Sequence, residues 1–236
     1  MNNMPPVSVI ITCEHASNFI PKPYRHLFIK EHSILATHQG YDIGALSVAK
    51  KLKKDLNATL FHSQVSRLLI DTNRSIHHPN CFSRFSKNLI KKDKVLLAQK
   101  YYHYHLSRIF QEVEKKIQSK KLVLHLAIHS FTHQLNEETR NNDIGFLYDP
   151  KRESEKKICT AWKKKCFLIQ PNIKIRMNYP YKGNSDCLTT NLRKRWNSSQ
   201  YMGIEIELNQ KLMNSYFLKK IYIPLLSSLQ SVLPQF

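Results

Sequence analysis

Residues 202–208 read Met202-Gly203-Ile204-Glu205-Ile206-Glu207-Leu208, an apolar run carrying two acids spaced two apart. In a strand, the period of two puts Glu205 and Glu207 on one face and Ile204, Ile206 and Leu208 on the other. The neighbours argue for burial, and a buried carboxylate without a partner shifts its pKa rather than stay charged. A cation, a metal or a polar substrate must therefore meet this face. Two further runs have the same form: residues 8–13 lead into Glu14-His15, and residues 122–128 lead into His129-Ser130. Ionisable residues at the ends of buried strands mark the active-site edge of open α/β sheets.

Working outward, strand and helix patterns alternate. Residues 7–12 form an apolar β-branched run, followed by a loop broken by Pro21 and Pro23. Ile43, Leu46, Ala49 and Leu52 recur at helical spacing and predict a helix over 43–55, with Asp42 at its N-cap. Strands are expected at 59–65, 122–128, 144–148 and 173–177. Helices are expected at 93–118, at 153–167 and at 215–233, the last tolerating or kinking at Pro224. This alternation predicts an α/β fold: a three-layer α/β/α arrangement with a mixed, mainly parallel central sheet. At 236 residues, with no linker or repeat, the chain is expected to form a single domain over residues 1–236.

The composition narrows the function classes. No stretch approaches the roughly 20 apolar residues that span a bilayer, so no membrane partner is expected. Residues 1–6 carry neither a basic nor an apolar leader pattern. Five cysteines without CxxC spacing fit neither a disulfide scaffold nor a zinc finger, and point to a reducing cytoplasm. The formal charge of +20 is the footprint a nucleic-acid-binding protein would leave. Yet the lysines cluster at 50–54, 91–94, 115–121 and 163–165, on or beside predicted helices, where they read as solvated faces. With no binding motif beside the charge, nucleic acid is the rival partner rather than the expected one.

Several polar constellations carry candidate chemistry. Glu14 and His15 suit zinc, or else mark a polar loop start. His129 follows an apolar strand with His125 on the same face; alone it reads as structural, but two strand-end histidines plus a glutamate-bearing strand favour a site. Arg67, Asn73 and Arg74 frame an anion clamp, since the planar guanidinium matches a carboxylate in bidentate fashion. The alternative is internal pairing of either arginine with Asp71. Asp42 is a helix cap or a ligand. His77, His78, His103 and His105 read as surface residues. No GxGxxG, P-loop, GxSxG or HExxH is present, which weakens nucleotide-binding and serine-hydrolase readings.

Taken together, these segments resemble the N-formylglutamate amidohydrolase family. The resemblance is carried by Cys13-Glu14-His15-Ala16-Ser17-Asn18, by Thr37-His38-Gln39-Gly40-Tyr41-Asp42-Ile43-Gly44-Ala45 and by Ser66-Arg67 through Asp71-Thr72-Asn73-Arg74-Ser75. It continues through His129-Ser130-Phe131-Thr132, the block from Arg140 to Asp149, Tyr179-Pro180-Tyr181-Lys182-Gly183 and the block from Tyr201 to Gln210. The family looks distantly similar to zinc carboxypeptidases and aspartoacylase, which implies a phosphorylase/hydrolase-like fold. By that comparison His15 and His129 are Zn2+ ligands, Asn73 and Arg74 hold the substrate carboxylate, and Glu207 is the general base. Zinc carboxypeptidases use His-x-x-Glu, but Asn18 stands three residues after His15, so the third ligand is open between Glu14 and Asp42. Glu205 is either a ligand-orienting group or a partner of Arg67 or Arg74. Two further departures are His133, where the family usually has proline, and Cys187, where it usually has glycine. The implied activity is metal-dependent hydrolysis of an acidic N-acyl amino acid, most simply N-formyl-L-glutamate to formate and L-glutamate. A zinc peptidase or amidase on another acidic N-acyl or peptide substrate is the alternative.

Overall fold

The two runs with the densest apolar content become the centre of the sheet. In the computed structural model, which describes residues 5–213 and 216–236, β3 (Leu122–Phe131) and β8 (Tyr201–Asn209) are buried along their whole length. Both faces of such strands must be covered, which parallel neighbours with crossover helices achieve. Around them lie β1 (Val7–Cys13), β2 (Thr59–His62), β6 (Ile144–Leu147) and β7 (Ile175–Met177), in the order β2-β1-β3-β8-β6-β7. All neighbouring pairs are parallel except β6 with β8. A separate hairpin pairs β4 (Gln134–Leu135) with β5 (Glu138–Thr139). The result is a three-layer α/β fold with a mixed, mostly parallel sheet.

The helices are α1 (Ala45–Asp55), α2 (Lys91–Leu97), α3 (Tyr104–Gln118), α4 (Glu153–Ile169), α5 (Leu188–Arg195) and α6 (Ile223–Val232). On one sheet face Ile204, Ile206 and Leu208 join Leu124, Leu126 and Ile128 beneath α1, α4 and α6. There Trp162 of α4 is fully buried, stacks on Phe146 at 4.5 Å, and donates its indole N–H to the Leu225 carbonyl of α6. On the other face Val123 and Tyr201 pack against Ile109 and Val113 of α3, Leu188 and Leu192 of α5, and Trp196 just past it. A third cluster, built on Phe28, Val65, Leu69, Ile70 and Leu97, holds the irregular segment after β2 in shape. Each large side chain buried in this way contributes about 1.5–3 kcal/mol.

The structure differs from the sequence expectations in several places. The strand expected over 122–128 runs to Phe131, so His129 and Ser130 lie within it. The strand expected over 59–65 stops at His62. The helix expected over 43–55 begins at Ala45, capped by Gly44 with φ of 81°. Asp42 does not cap it, because its carboxylate is engaged elsewhere. The helix expected over 93–118 is a continuous path of α2, a π-helical segment Ala98–His103, and α3. The closing helix begins with a π-helical turn, Leu218–Tyr222, that runs directly into α6, and the helix tolerates Pro224 just past that junction. Ser215, its expected start, lies outside the described residues, as do residues 1–4 of the leader reading. Two elements carry no periodic signal: the 3-10 segment Lys22–Ala36, kinked at Glu31, and the short α5. His105 is a further correction: it is buried, and burial pushes its imidazole down to about 4. Among the described residues no helix is long and apolar enough to cross a membrane.

Candidate active site

Parallel pairing brings the carboxyl ends of β1, β3 and β8 to one edge of the sheet. The β3–β8 register sets His129 beside Glu207 and Ala127 beside Glu205. On the far side of β8, Glu207 faces Gly145 of β6. Only glycine fits there, since a Cβ would lie 2.1 Å from the Tyr179 carbonyl oxygen and 3.2 Å from the Glu207 Cβ. Where β1 ends, the Asp42 N–H donates to the His15 carbonyl at 2.9 Å and draws the 37–44 loop onto the strand end.

The side chains of His15, Asp42 and His129 converge. Asp42 Oδ2 lies 2.8 Å from His129 Nδ1 and 3.5 Å from His15 Nδ1. One donor atom from each residue lies within 4.8 Å of the others, and all three residues are buried. The opposite ring nitrogens face carboxylates of their own. His15 Nε2 is 2.8 Å from Asp71 Oδ1, and His129 Nε2 is 3.1 Å from Glu14 Oε2. The Glu14 contact is an ion pair rather than an aligned hydrogen bond, for both its oxygens are buried without a hydrogen-bond partner. Imidazoles backed by carboxylates, with both Nδ1 atoms turned to a common point, are what metal-binding histidines require, because the backing group fixes the tautomer. Two imidazoles and one carboxylate form a donor set suited to zinc, and three protein ligands leave a coordination position open for chemistry. Glu14, the other candidate for third ligand, stands behind His129 rather than among the converging atoms.

The electrostatics follow from this packing. Burial alone pushes the Asp42 carboxyl up, but Arg67, His15 and His129 outweigh it and hold it well below the usual carboxylate range. Burial likewise opposes ionisation of Glu14 and Asp71. His129 overcomes it for Glu14 and His15 for Asp71, and each carboxyl ends lowered to about 2. Burial pushes both imidazoles down. Asp71 chiefly reverses this for His15, and Asp42 with Glu14 for His129, so both end raised. Glu207 goes the other way. It is 5% exposed, its Oε2 has no hydrogen-bond partner among the described residues, and burial pushes its carboxyl up to about 8 against the charge of His129.

The arginines divide. Arg67 Nη2 is 3.0 Å from Asp42 Oδ1 and also donates to the His38 carbonyl, while Nε donates to the Gln39 carbonyl at 3.0 Å. Its Nη1 lies 3.0 Å from His15 Nδ1, so all three nitrogens are engaged within the protein. The carboxylate it pairs with is Asp42 rather than Asp71. Arg74 donates through Nη1 to the Asp186 carbonyl at 2.7 Å and lines the cavity. Asn73 accepts from the Leu188 N–H at 3.0 Å, and its amide nitrogen is 3.5 Å from His129 Nε2. Glu205 meets neither arginine: it accepts from Thr189 Oγ1 at 2.9 Å and from the Cys187 thiol at 3.0 Å. His125 lies deeper, between Thr12 Oγ1 and Tyr201 Oη at 2.7 Å each. The site opens into a cavity of about 260 Å³ lined by His15, Asp42, His129, Arg74, Glu205 and Glu207.

Asp71 is a site residue the sequence does not reveal, since there it reads only as a partner for arginine. Asn73, two residues on, stands out in the sequence, but nothing in the spacing shows that residue 71 returns to residue 15. Replacing Asp71 with asparagine is expected to weaken metal affinity about 10–100-fold, measured by competition against a chromogenic chelator. Unchanged affinity would remove Asp71 from that role.

Fold and site together define an α/β protein with a buried histidine–aspartate cluster and an uncommitted glutamate at the carboxyl edge of its sheet. Residues 7–214 match the family model of N-formylglutamate amidohydrolase, and the chain belongs to that family of hydrolases. Two solved structures share the fold. A gene product of Agrobacterium tumefaciens is 24% identical, with a TM-score of 0.84 over 97% of this chain and 91% of the other. An N-formylglutamate amidohydrolase from Ralstonia eutropha JMP134 is 14% identical, with a TM-score of 0.71 over 99% and 97%. No curated protein matches the sequence.

Proposed function

We propose that this chain hydrolyses the amide bond of an acidic N-acyl amino acid, with N-formyl-L-glutamate the substrate supported best, and that it does so with zinc. The observation that carries the reading is the meeting of His15, Asp42 and His129 beside Glu207, whose Oε2 has no hydrogen-bond partner among the described residues. His15, Asp42 and His129 would hold the metal. A zinc ion held there would supply Lewis-acid polarisation of the amide carbonyl. Glu207 takes the proton from the attacking water and passes it to the leaving nitrogen, so one carboxylate acts first as base and then as acid. Its position supports this, because Glu207 lies beside His129 with an oxygen that meets no hydrogen-bond partner among the described residues and so is left to take a proton from water. Arg74 and Asn73 orient the substrate carboxylate, while Arg67 steadies Asp42. Asp71 and Glu14 hold the two imidazoles in the tautomer that turns Nδ1 inward. Glu205, tied to Thr189 and Cys187, shapes the cavity wall.

We further infer that residues 1–236 act as one domain in a reducing cytoplasm, which the five buried free thiols support. The test of function is turnover of a panel of N-acyl amino acids by the zinc-loaded protein. N-formyl-L-glutamate is expected to release formate, and neutral N-formyl amino acids to be poorer substrates. Absence of formate release from every member would sink the reading, and release only from peptides would favour a peptidase instead.

A further inference from the structure

An N-formyl diacid brings two carboxylates into the cavity, and Asn73 with Arg74 accounts for one. Lys182 lines the same cavity, and its side chain makes no hydrogen bond or ion pair with any other described residue. Its side chain is exposed, but the turn that presents it is built. Asn178 Oδ1 accepts from the Tyr148 N–H at 3.0 Å and from the Gly183 N–H at 3.2 Å. Arg193 Nη1 donates to the Gly183 carbonyl at 2.6 Å, and the Ser185 N–H closes onto the Lys182 carbonyl at 3.1 Å. Gly183 itself sits so close to β6 that a Cβ would lie 2.1 Å from the Tyr148 nitrogen. The far end of the loop is fastened by the Leu188 N–H to Asn73 and by the Asp186 carbonyl to Arg74. One short loop therefore fixes the backbone of Lys182 at one end and touches the carboxylate-binding pair at the other.

We propose that Lys182 is the specificity-determining residue of this site: its ammonium receives the second carboxylate of the substrate, so the enzyme selects diacids over N-acyl amino acids with neutral side chains. The inference rests on the proposed function for its substrate class and adds the residue that reads the side chain. A flexible ammonium at the mouth suits this task, since it reaches a carboxylate as a point charge and leaves the geometry of cleavage to the buried groups.

The test compares N-formyl-L-glutamate with N-formyl-L-glutamine in the wild type, Lys182→Met and Lys182→Arg. Lys182→Met is expected to raise KM for the diacid about tenfold, the lower end for a charge-assisted hydrogen bond at a partly exposed position. The kcat stays near wild type, the amide substrate is unaffected, and Lys182→Arg retains most of the preference. A Lys182→Met enzyme that keeps the wild-type ratio between the two substrates would overturn the assignment. If the wild type cleaves neither, the proposed function fails, and calorimetry with glutarate and butyrate decides Lys182 on its own. Tighter glutarate binding that Lys182→Met abolishes supports the residue's role, and equal binding of the two acids by the wild type refutes it.

Discussion

Glu207→Gln is expected to leave the fold and the metal content intact and to lower kcat by at least about a hundredfold, the contribution of a positioned general base. In free energy this is about 2.7 kcal/mol of transition-state stabilisation. The amide fits where the carboxylate stood, because Glu207 lies between β3 and β6 with one oxygen free of hydrogen bonds, so no ion pair is broken. Removing a buried carboxyl that is pushed up to about 8 also relieves a desolvation cost, so the variant should be at least as resistant to urea as the wild type. KM should change little, since the group acts on water and on the leaving nitrogen rather than on the substrate's carboxylates. Turnover near the wild-type rate would show that another group moves the proton.

His129→Ala carries the second large effect. It removes one of the three converging donors, and zinc content measured by elemental analysis is expected to fall from stoichiometric to near zero. Stability should suffer as well. Glu14 and Asp42 are buried against the two nitrogens of this ring; deleting it leaves Asp42 with Arg67 and His15 but strips buried Glu14 of its partner, a loss that typically costs about 3–5 kcal/mol. His129→Gln, which keeps a polar side chain there, separates the two effects: it is expected to fold while still failing to retain zinc. Full zinc in a folded His129→Gln would show that the metal, if bound, lies elsewhere.

The legible part of the fold was the part written in local periodicity. Alternation of apolar and acidic residues in β8 put Glu205 and Glu207 on one face and Ile204, Ile206 and Leu208 on the other, and the structure packs the two sets that way. Helical spacing located α1, α4 and the long path through α2 and α3. Where local pattern is weak the reading fails: α5 buries only Leu188, Thr189 and Leu192, and Lys22–Ala36 is 3-10 turns that start between two prolines, Pro21 and Pro23. His105 reads as a surface residue in the sequence because, with His103 on the same helix, it has no partner at metal spacing, and its burial is decided only by what the helix packs on.

For the site, the sequence alone named the residue types and the strand ends that bear them. His15, His129 and Glu207 each follow or lie in an apolar run, and side-chain direction in a strand is a local property with a period of two. Which groups meet was settled only in three dimensions. Asp42, Arg67 and Asp71 sit in irregular loops whose courses depend on the separate core around Val65, Leu69 and Ile70 and on the hydrogen bond from Asp42 to the end of β1. That packing brings Asp42 to both histidines, places Asp71 behind one and Glu14 behind the other, and turns Arg67 inward. Contacts between residues separated by tens of positions are chosen by the closure of loops over a shared core, a cooperative outcome that no spacing along the chain encodes.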